Sequence, residues 1–150
     1  MIIFKTGNLL DEFTQALVNP VNCVGIMGKG LALDFKHEYP DNFLKYKAAC
    51  DQGLIKPGMI YATVDIGSRT THIINFPTKD HWKQPSKIEY IESGLVALVE
   101  YIQTQNITSI SIPALGCGNG GLNWLDVKPK IVSAMETCSQ VNTVIFEPCF

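Results

Sequence analysis

The sequence lacks any apolar run close to the roughly 20 residues that a membrane-spanning helix needs, and no signal peptide opens it. It also lacks a basic excess, since 12 lysines and arginines stand against 14 aspartates and glutamates, for a formal net charge of −2. That balance argues against a surface that coats nucleic acid, but it does not exclude an enzyme that holds one nucleotide in a pocket. We therefore expect a cytoplasmic protein that makes no contact with membranes.

Metal-ligand spacing is missing from both the cysteines and the histidines. The five cysteines are odd in number, and the three histidines show no ligand pattern. No Ser-His-Asp arrangement and no pair of carboxylates stands out. The sequence therefore predicts free thiols in a reducing compartment and neither a metal nor a cofactor.

The chain has enough residues and apolar content for one domain with a core of its own. It is 150 residues long, with 46% hydrophobic and 17% charged residues. Strand-like and helix-like segments alternate, which predicts an α/β protein with three α/β/α layers around a central mixed sheet. The predicted strands span residues 2–5, 15–19, 59–66, 71–76, 109–113 and 143–146, and the predicted helices span residues 31–36, 41–50, 88–105 and 129–138.

Local signals predict where these helices begin and end. Pro40 is expected to stop the first helix. Residues 86–89 match a capping box at the start of the third, and Asn123 is suited to capping a turn. Pro129 suits the first turn of the last helix.

Two glycine-rich loops are the most informative feature that is present. They span residues 25–30 and 116–121, hold seven of the 12 glycines, and each follows a strand-like run. A loop of this kind is often only a tight turn, and neither matches the GxxxxGK[ST] or GxGxxG patterns. Ordering a loop so rich in glycine costs much conformational entropy on folding, which favours a ligand-binding role over that of a simple connection. Two such loops at one end of a sheet would offer N–H groups to a diphosphate.

Two polar residues stand where they would flank such a ligand. Asn22 leads into the first glycine loop, and its amide has one side that donates and one that accepts, as two sugar hydroxyls would require. The other interpretation is that the Asn22 side chain only stabilises a turn, by hydrogen-bonding to nearby backbone. Lys79 follows an apolar strand. By default it is a surface cation, but at the mouth of a cleft it would instead pair with phosphate or act as a nucleophile or an acid.

Three segments together resemble a known family. They are NPVNCVGIMGKG at residues 19–30, NFPTK at 75–79 and PALGCGNGGLNW at 113–124. In this order they resemble an ADP-ribose-binding macrodomain of the DarG type, an antitoxin domain that removes ADP-ribose from thymidine in DNA. That group is related to the terminal ADP-ribose glycohydrolases. The resemblance runs from Gly7 to Pro148 and implies a single macrodomain over residues 1–150.

The resemblance implies a role for each part of the site. Adenine would lie against Asn8 and the backbone at Leu9, the second glycine loop would hold the diphosphate, and the first loop with Asn22 would approach the distal ribose. Lys79 and Asn22 would be catalytic, while His81 and Trp82 would contact the nucleobase. The full set of ADP-ribose-binding residues would be Asn8, Leu9, Asn22, Met27, Gly28, Lys29, Gly30, Thr78, Leu115, Gly116, Cys117, Gly118, Asn119, Gly120, Gly121 and Leu122.

The implied partners are ADP-ribose, ADP-ribosylated DNA and a DarT-like toxin, with the chain itself a monomer. Two departures from the family pattern bear on the reaction. Many macrodomains hold the adenine amino group with an aspartate where this chain has Asn8, and the related glycohydrolases pair their lysine with an aspartate where it has Gly120. Two alternatives therefore stay open, namely a hydrolase acting on ADP-ribosylated protein carboxylates and a non-catalytic reader of ADP-ribose.

Overall fold

A computed structural model of the chain describes residues 1–148, and its strands and helices alternate along the sequence. A short 3-10 helix, Leu9–Asp11, follows the first strand. The strands are β1 (Ile2–Lys5), β2 (Ala16–Val21), β3 (Tyr61–Ile66), β4 (Thr70–Pro77), β5 (Ser109–Ile112) and β6 (Asn142–Phe146), and the helices are α1 (Gly30–Glu38), α2 (Pro40–Asp51), α3 (Ile88–Thr104) and α4 (Trp124–Glu136).

The strands form one mixed sheet in the order β1-β6-β5-β2-β4-β3. All neighbouring pairs are parallel except β3 and β4, which form an antiparallel hairpin. Helices α3 and α4 pack on one face, over alternate residues of β2 such as Val18, while α1 packs on the other face, over Leu17. The predicted three-layer α/β fold with a mixed sheet is confirmed.

Strand β2 extends to Val21, past the predicted end at Asn19, although it contains Pro20. The carbonyl of Val21 accepts a hydrogen bond from the Thr78 amide on the β4 side. Because backbone groups alternate in direction, Pro20 points to the opposite side, where pairing with β5 ends at Leu17. The missing N–H of proline therefore costs the sheet no hydrogen bond.

Two predictions about helix ends were wrong. Helix α3 begins at Ile88 with Lys87 at its N-cap and no side-chain capping bond, because Ser86 is buried against the second glycine loop. Pro129 lies inside α4 and not in its first turn. It is tolerated there because the carbonyl it leaves without a partner belongs to Leu125, a residue that is exposed to water.

Other predictions about helix ends hold. Asn123 caps α4 by accepting a hydrogen bond from the Leu125 amide at 2.9 Å. Helix α1 ends before Pro40, which then opens α2 in the first-turn position that suits proline. Within residues 1–148, none of the helices has the length and hydropathy to cross a membrane.

Candidate functional site

The carboxyl ends of five parallel strands open into one cleft of about 1020 Å³. Since β1, β6, β5, β2 and β4 run in the same direction, the segments that follow them meet at a single edge of the sheet. Both glycine loops reach this cleft, and they approach each other, because a Cβ on Gly30 would lie 3.7 Å from Nδ2 of Asn119. The predicted residues that line the cleft are Asn8, Leu9, Asn22, Gly28, Lys29, Gly30, Thr78, Lys79, Trp82, Gly116, Gly118, Asn119 and Gly120.

The remaining predicted site residues do not line the cleft. Met27 and Leu115 are buried in the hydrophobic core, so their side chains cannot reach a ligand in the cleft. The others in this group are Cys117, Gly121, Leu122 and His81. Sequence reasoning also missed the end of β6, where Phe146, Glu147 and Pro148 line the cleft beside Asn8.

The amide of Asn22 holds the first glycine loop in shape. Its Nδ2 donates to the carbonyl of Ile26 at 2.7 Å, and its Oδ1 accepts from the amide of Val24 at 3.0 Å. The hydroxyl of Tyr46 donates to the same Oδ1 at 2.9 Å. The acceptor side of Asn22 is thereby used within the protein, and only one N–H remains for a ligand. The expectation that Asn22 both donates to and accepts from sugar hydroxyls is corrected to donation alone.

Tyr46 holds Asn22 in position through its hydroxyl group. Its ring is fully buried between α2 and the first glycine loop, and its hydroxyl also lies 2.7 Å from the backbone carbonyl of Asn22. Burial raises the pKa of this phenol far above its usual value, so Tyr46 remains a hydrogen-bond donor. The sequence predicts the helix over residues 41–50 that contains Tyr46 but does not reveal this contact.

A buried cluster of asparagines connects α2 to β2 and β4, the two strands that precede Asn22 and Lys79. Asn75 on β4 exchanges hydrogen bonds with Asn42 on α2 at 2.8 and 3.2 Å, and it accepts another from Asn19 on β2 at 3.1 Å. All three side chains are at least 96% buried. The hydrogen bonds among these buried side chains fix the relative position of their elements, although Oδ1 of Asn19 has no partner among the described residues.

Lys79 lies beside Asn22 because the β2–β4 ladder continues beyond both strands. The amide of Cys23 donates to the carbonyl of Asp80 at 3.0 Å, one step further along the same pairing. The ammonium of Lys79 donates to the carbonyl of Trp82 at 3.3 Å, so two of its three N–H bonds remain for a ligand. This turn therefore presents a cation and the half-exposed ring of Trp82 to the same end of the cleft.

The second glycine loop is packed too tightly at one position to carry a side chain. A Cβ on Gly120 would collide with the hydroxyl of Ser86 and with the carbonyl oxygen of Gly116. An aspartate cannot replace Gly120 without a shift of the backbone. Gly118 differs, because a Cβ there would meet no heavy atom within 4 Å. The loop thus leaves open backbone beside the cleft at Gly118, which a phosphate can approach closely.

Titratable side chains do not converge on a metal site in residues 1–148. No group of three or more histidine, cysteine, aspartate or glutamate side chains lies close enough to hold an ion. Cys23, Cys50, Cys117 and Cys138 are free thiols, while Cys149 lies outside the described residues.

Comparison with known proteins gives a consistent family match. A model of the macro domain family matches residues 18–131. The chain is 49% identical over 150 residues to a DNA ADP-ribosyl glycohydrolase of Mycobacterium tuberculosis, covering 99% of this chain and 42% of that protein. The chain therefore spans about two fifths of the length of the curated relatives it matches.

Solved structures agree with the sequence comparison. The macrodomain of M. tuberculosis DarG superposes with a TM-score of 0.97 at 47% identity, covering 99% of both chains. A Thermosipho africanus DarTG structure in complex with ADP-ribose superposes with a TM-score of 0.91 at 34% identity. It covers 97% of this chain and 41% of that one.

Proposed function

The chain belongs to the macro domain family, and on this basis we propose that it binds ADP-ribose and removes it from thymidine in single-stranded DNA. The observation that carries the proposal is the cleft itself, which brings the two glycine loops, Asn22 and Lys79 to one edge of the sheet. Open backbone at Gly118 suits a diphosphate, and the adjacent Asn22 and Lys79 suit the sugar whose bond is broken. Similarity to DNA ADP-ribosyl glycohydrolases supports the same assignment.

The proposed reaction breaks the bond between the anomeric carbon of the distal ribose and a ring nitrogen of thymine. Water supplies the hydroxyl that joins the carbon, and a proton ends on the departing base. The sugar passes through a cation-like state, so the enzyme must hold the ribose and help the base leave. Asn22 would donate one hydrogen bond to the ribose with its free N–H.

Lys79 has two possible roles in this reaction. As an acid, its ammonium donates a proton to the departing thymine and regains one from the attacking water. As a nucleophile, its neutral amine attacks the anomeric carbon and displaces thymine, which takes up a proton; the sugar ring then opens to give an imine, which water hydrolyses to free the lysine and ADP-ribose. The Nζ of Lys79 donates a hydrogen bond to the carbonyl of Trp82, a contact that is compatible with both roles. Trp82 would also contact the nucleobase, with His81 stacked against its indole at 5.6 Å.

Gly120 argues against the alternative reaction on protein carboxylates. The related glycohydrolases that act there pair lysine with an aspartate, and the packing of Ser86 and Gly116 leaves no room for one. A non-catalytic reader would need the glycine loops but would have no use for Lys79 beside Asn22.

One comparison tests the proposal. The protein is incubated with a single-stranded oligonucleotide carrying ADP-ribosylated thymidine and, separately, with a protein carrying ADP-ribosylated glutamate. We expect release of ADP-ribose from the oligonucleotide and little from the protein. Release from the ADP-ribosylated protein substrate alone would mean that the enzyme acts on protein carboxylates and not on DNA. Tight binding of ADP-ribose without any release would make the chain a non-catalytic reader.

The biological setting of the proposal follows from the substrate. Restoring unmodified thymidine is a form of DNA repair, and it opposes a DNA-modifying toxin of the DarT type. Similarity to the T. africanus DarTG structure supports a pairing of this chain with such a toxin. We place the activity in the cytoplasm and assign residues 1–150 to a single monomeric macrodomain.

Cys117 should be dispensable for this activity, although it lies in the second glycine loop. Burial raises the pKa of its thiol to about 11, so the nucleophilic thiolate is scarce at neutral pH. Its Sγ lies 3.5 Å from the carbonyl of Leu115, a contact that a serine hydroxyl can keep. Cys117→Ser should therefore retain turnover within a few-fold in the oligonucleotide assay. Loss of turnover with intact ADP-ribose binding would instead indicate a cysteine nucleophile.

A further inference from the structure

Glu147 is a fixed carboxylate at the end of the cleft away from Lys79. It follows β6, whereas Lys79 follows β4, with β5 and β2 between them. Three strand spacings of about 4.8 Å separate the two positions by roughly 14 Å. The backbone amide of Glu147 donates to the carbonyl of Lys5 at 2.8 Å, which continues the β1–β6 ladder into the cleft wall.

Two donors hold the side chain of Glu147 through a single oxygen. Its Oε2 accepts from Nε1 of Trp124 at 3.1 Å and from Nζ of Lys128 at 2.9 Å. These bonds keep the pKa of the carboxyl below its usual value, so the group is ionised at neutral pH. Trp124 is buried, so the position of its Nε1 donor is fixed by packing. Among residues 1–148, no donor binds the other oxygen, Oε1.

The reaction geometry decides which part of the ligand reaches this end. In the proposed function, the bond that breaks is on the distal ribose, so that sugar must lie beside Lys79 and Asn22. The diphosphate then lies against the second glycine loop, which follows β5. The remaining part, adenine, must occupy the end formed by Asn8 and Glu147.

Asn8 and Glu147 are the polar side chains that follow β1 and β6 at this end, while Asp34 lines the cleft from α1, and Asn8 already accepts one hydrogen bond within the protein. It caps the short 3-10 helix, and its Oδ1 accepts from the Leu10 amide at 3.0 Å. Adenine presents an exocyclic amine that donates, whereas hypoxanthine and guanine present a carbonyl oxygen at the same position. A carboxylate oxygen in line with this position therefore accepts from the amine of adenine and repels the carbonyl oxygen of the other two bases.

We propose that Glu147 selects adenine, by accepting a hydrogen bond from the exocyclic amine with Oε1. This proposal rests on the proposed binding of ADP-ribose and names the residue that makes it specific. Trp124 and Lys128 act as positioning residues that aim the carboxylate. Glu147 thus supplies the negative charge that is missing at Asn8.

The test compares binding of ADP-ribose with that of inosine diphosphate ribose, in which a carbonyl oxygen replaces the amine and the neighbouring ring nitrogen N1 carries a hydrogen. Calorimetry on the unaltered protein should give a preference of about ten-fold or more for ADP-ribose. In Glu147→Gln, the amide oxygen stays with Trp124 and Lys128, because both are donors, and the NH₂ group turns to the base. The preference should then vanish or reverse in favour of the inosine analogue.

The ratio of two affinities on one protein does not depend on the fraction that is folded. If Glu147→Gln proves unstable, Glu147→Asp keeps the charge but shortens the reach, and it should also lower the ratio. Glu92→Gln is the matched control, because it removes the negative charge from a comparable 2.9 Å pair with Lys130 away from the cleft. Its ratio should equal that of the unaltered protein.

Two results would overturn the selection of adenine while leaving ADP-ribose binding intact. One is equal affinity of the unaltered protein for both ligands. The other is an unchanged preference in Glu147→Gln; a lost preference in Asn8→Ser, a variant that keeps a capping residue, would then assign the selectivity to Asn8. Failure of the unaltered protein to bind either ligand would refute the proposed function, and the role of Glu147 with it.

Discussion

Replacing Lys79 by alanine should lower the rate of ADP-ribose release from a thymidine-modified oligonucleotide by about 10²-fold or more, the usual cost of losing one acid–base group. The affinity for free ADP-ribose should change only a few-fold. The side chain of Lys79 donates one hydrogen bond, to Trp82, so its removal leaves the glycine loops and the asparagine cluster in place. Single-turnover release and calorimetry on the same preparation would measure the two effects.

Lys83→Ala provides the matched control for charge. Lys83 lies in the same turn, with its ammonium 5.1 Å from the centre of the Trp82 ring, but it does not line the cleft. Its removal should leave the rate nearly unchanged. A loss of binding in Lys79→Ala as large as the loss of rate would make Lys79 a phosphate-binding cation only. Unchanged turnover would mean that Lys79 has no catalytic role and that Asn22 and a bound water carry out the reaction.

Borohydride trapping would separate the two chemical roles of Lys79. An imine with the opened sugar is reduced to a stable amine, which would appear as a mass increase on Lys79. An acid role leaves nothing to trap. The acid role needs no covalent bond to Lys79, and on that assignment we expect no adduct during turnover.

The order of alternating segments was sufficient to predict the fold, because each segment carries its own signal. The two glycine loops and the strand that precedes Lys79 could be recognised separately, and the rule that parallel strands end at one edge placed them together. Glu147 could not be found in this way. Its place beside Asn8 depends on β6 inserting between β1 and β5, a pairing between distant parts of the chain.

Contacts between distant residues also explain the other errors. Ser86 has the local pattern of a helix cap, but its burial under Gly120 prevents that role. Asn22 was expected to offer both sides of its amide to a sugar, because a sequence does not show that Tyr46 and the Val24 amide occupy the oxygen. In each case a single residue type is compatible with two roles, and tertiary contacts select one.

Gly118→Val should nearly abolish ADP-ribose binding while leaving the fold intact. Gly118 lines the cleft, takes no positive φ, and has no heavy atom within 4 Å of the position of an added Cβ. Valine therefore fits the protein but occupies the space through which a diphosphate would reach the backbone. Loss of two or so charge-assisted hydrogen bonds should raise Kd about 10²-fold or more. Calorimetry measures this change, and thermal unfolding should give nearly the same Tm.

Two further glycine variants show whether the effect is specific to the cleft. Gly67→Val adds the same bulk in the turn between β3 and β4, where only ordinary contacts result, so binding and Tm should both stay as they are. Gly120→Ala should lower Tm even without a ligand, because its Cβ collides with the carbonyl oxygen of Gly116. If Gly118→Val keeps its affinity for ADP-ribose, the diphosphate does not lie against the second glycine loop, and the order of the ligand along the cleft must be reassigned.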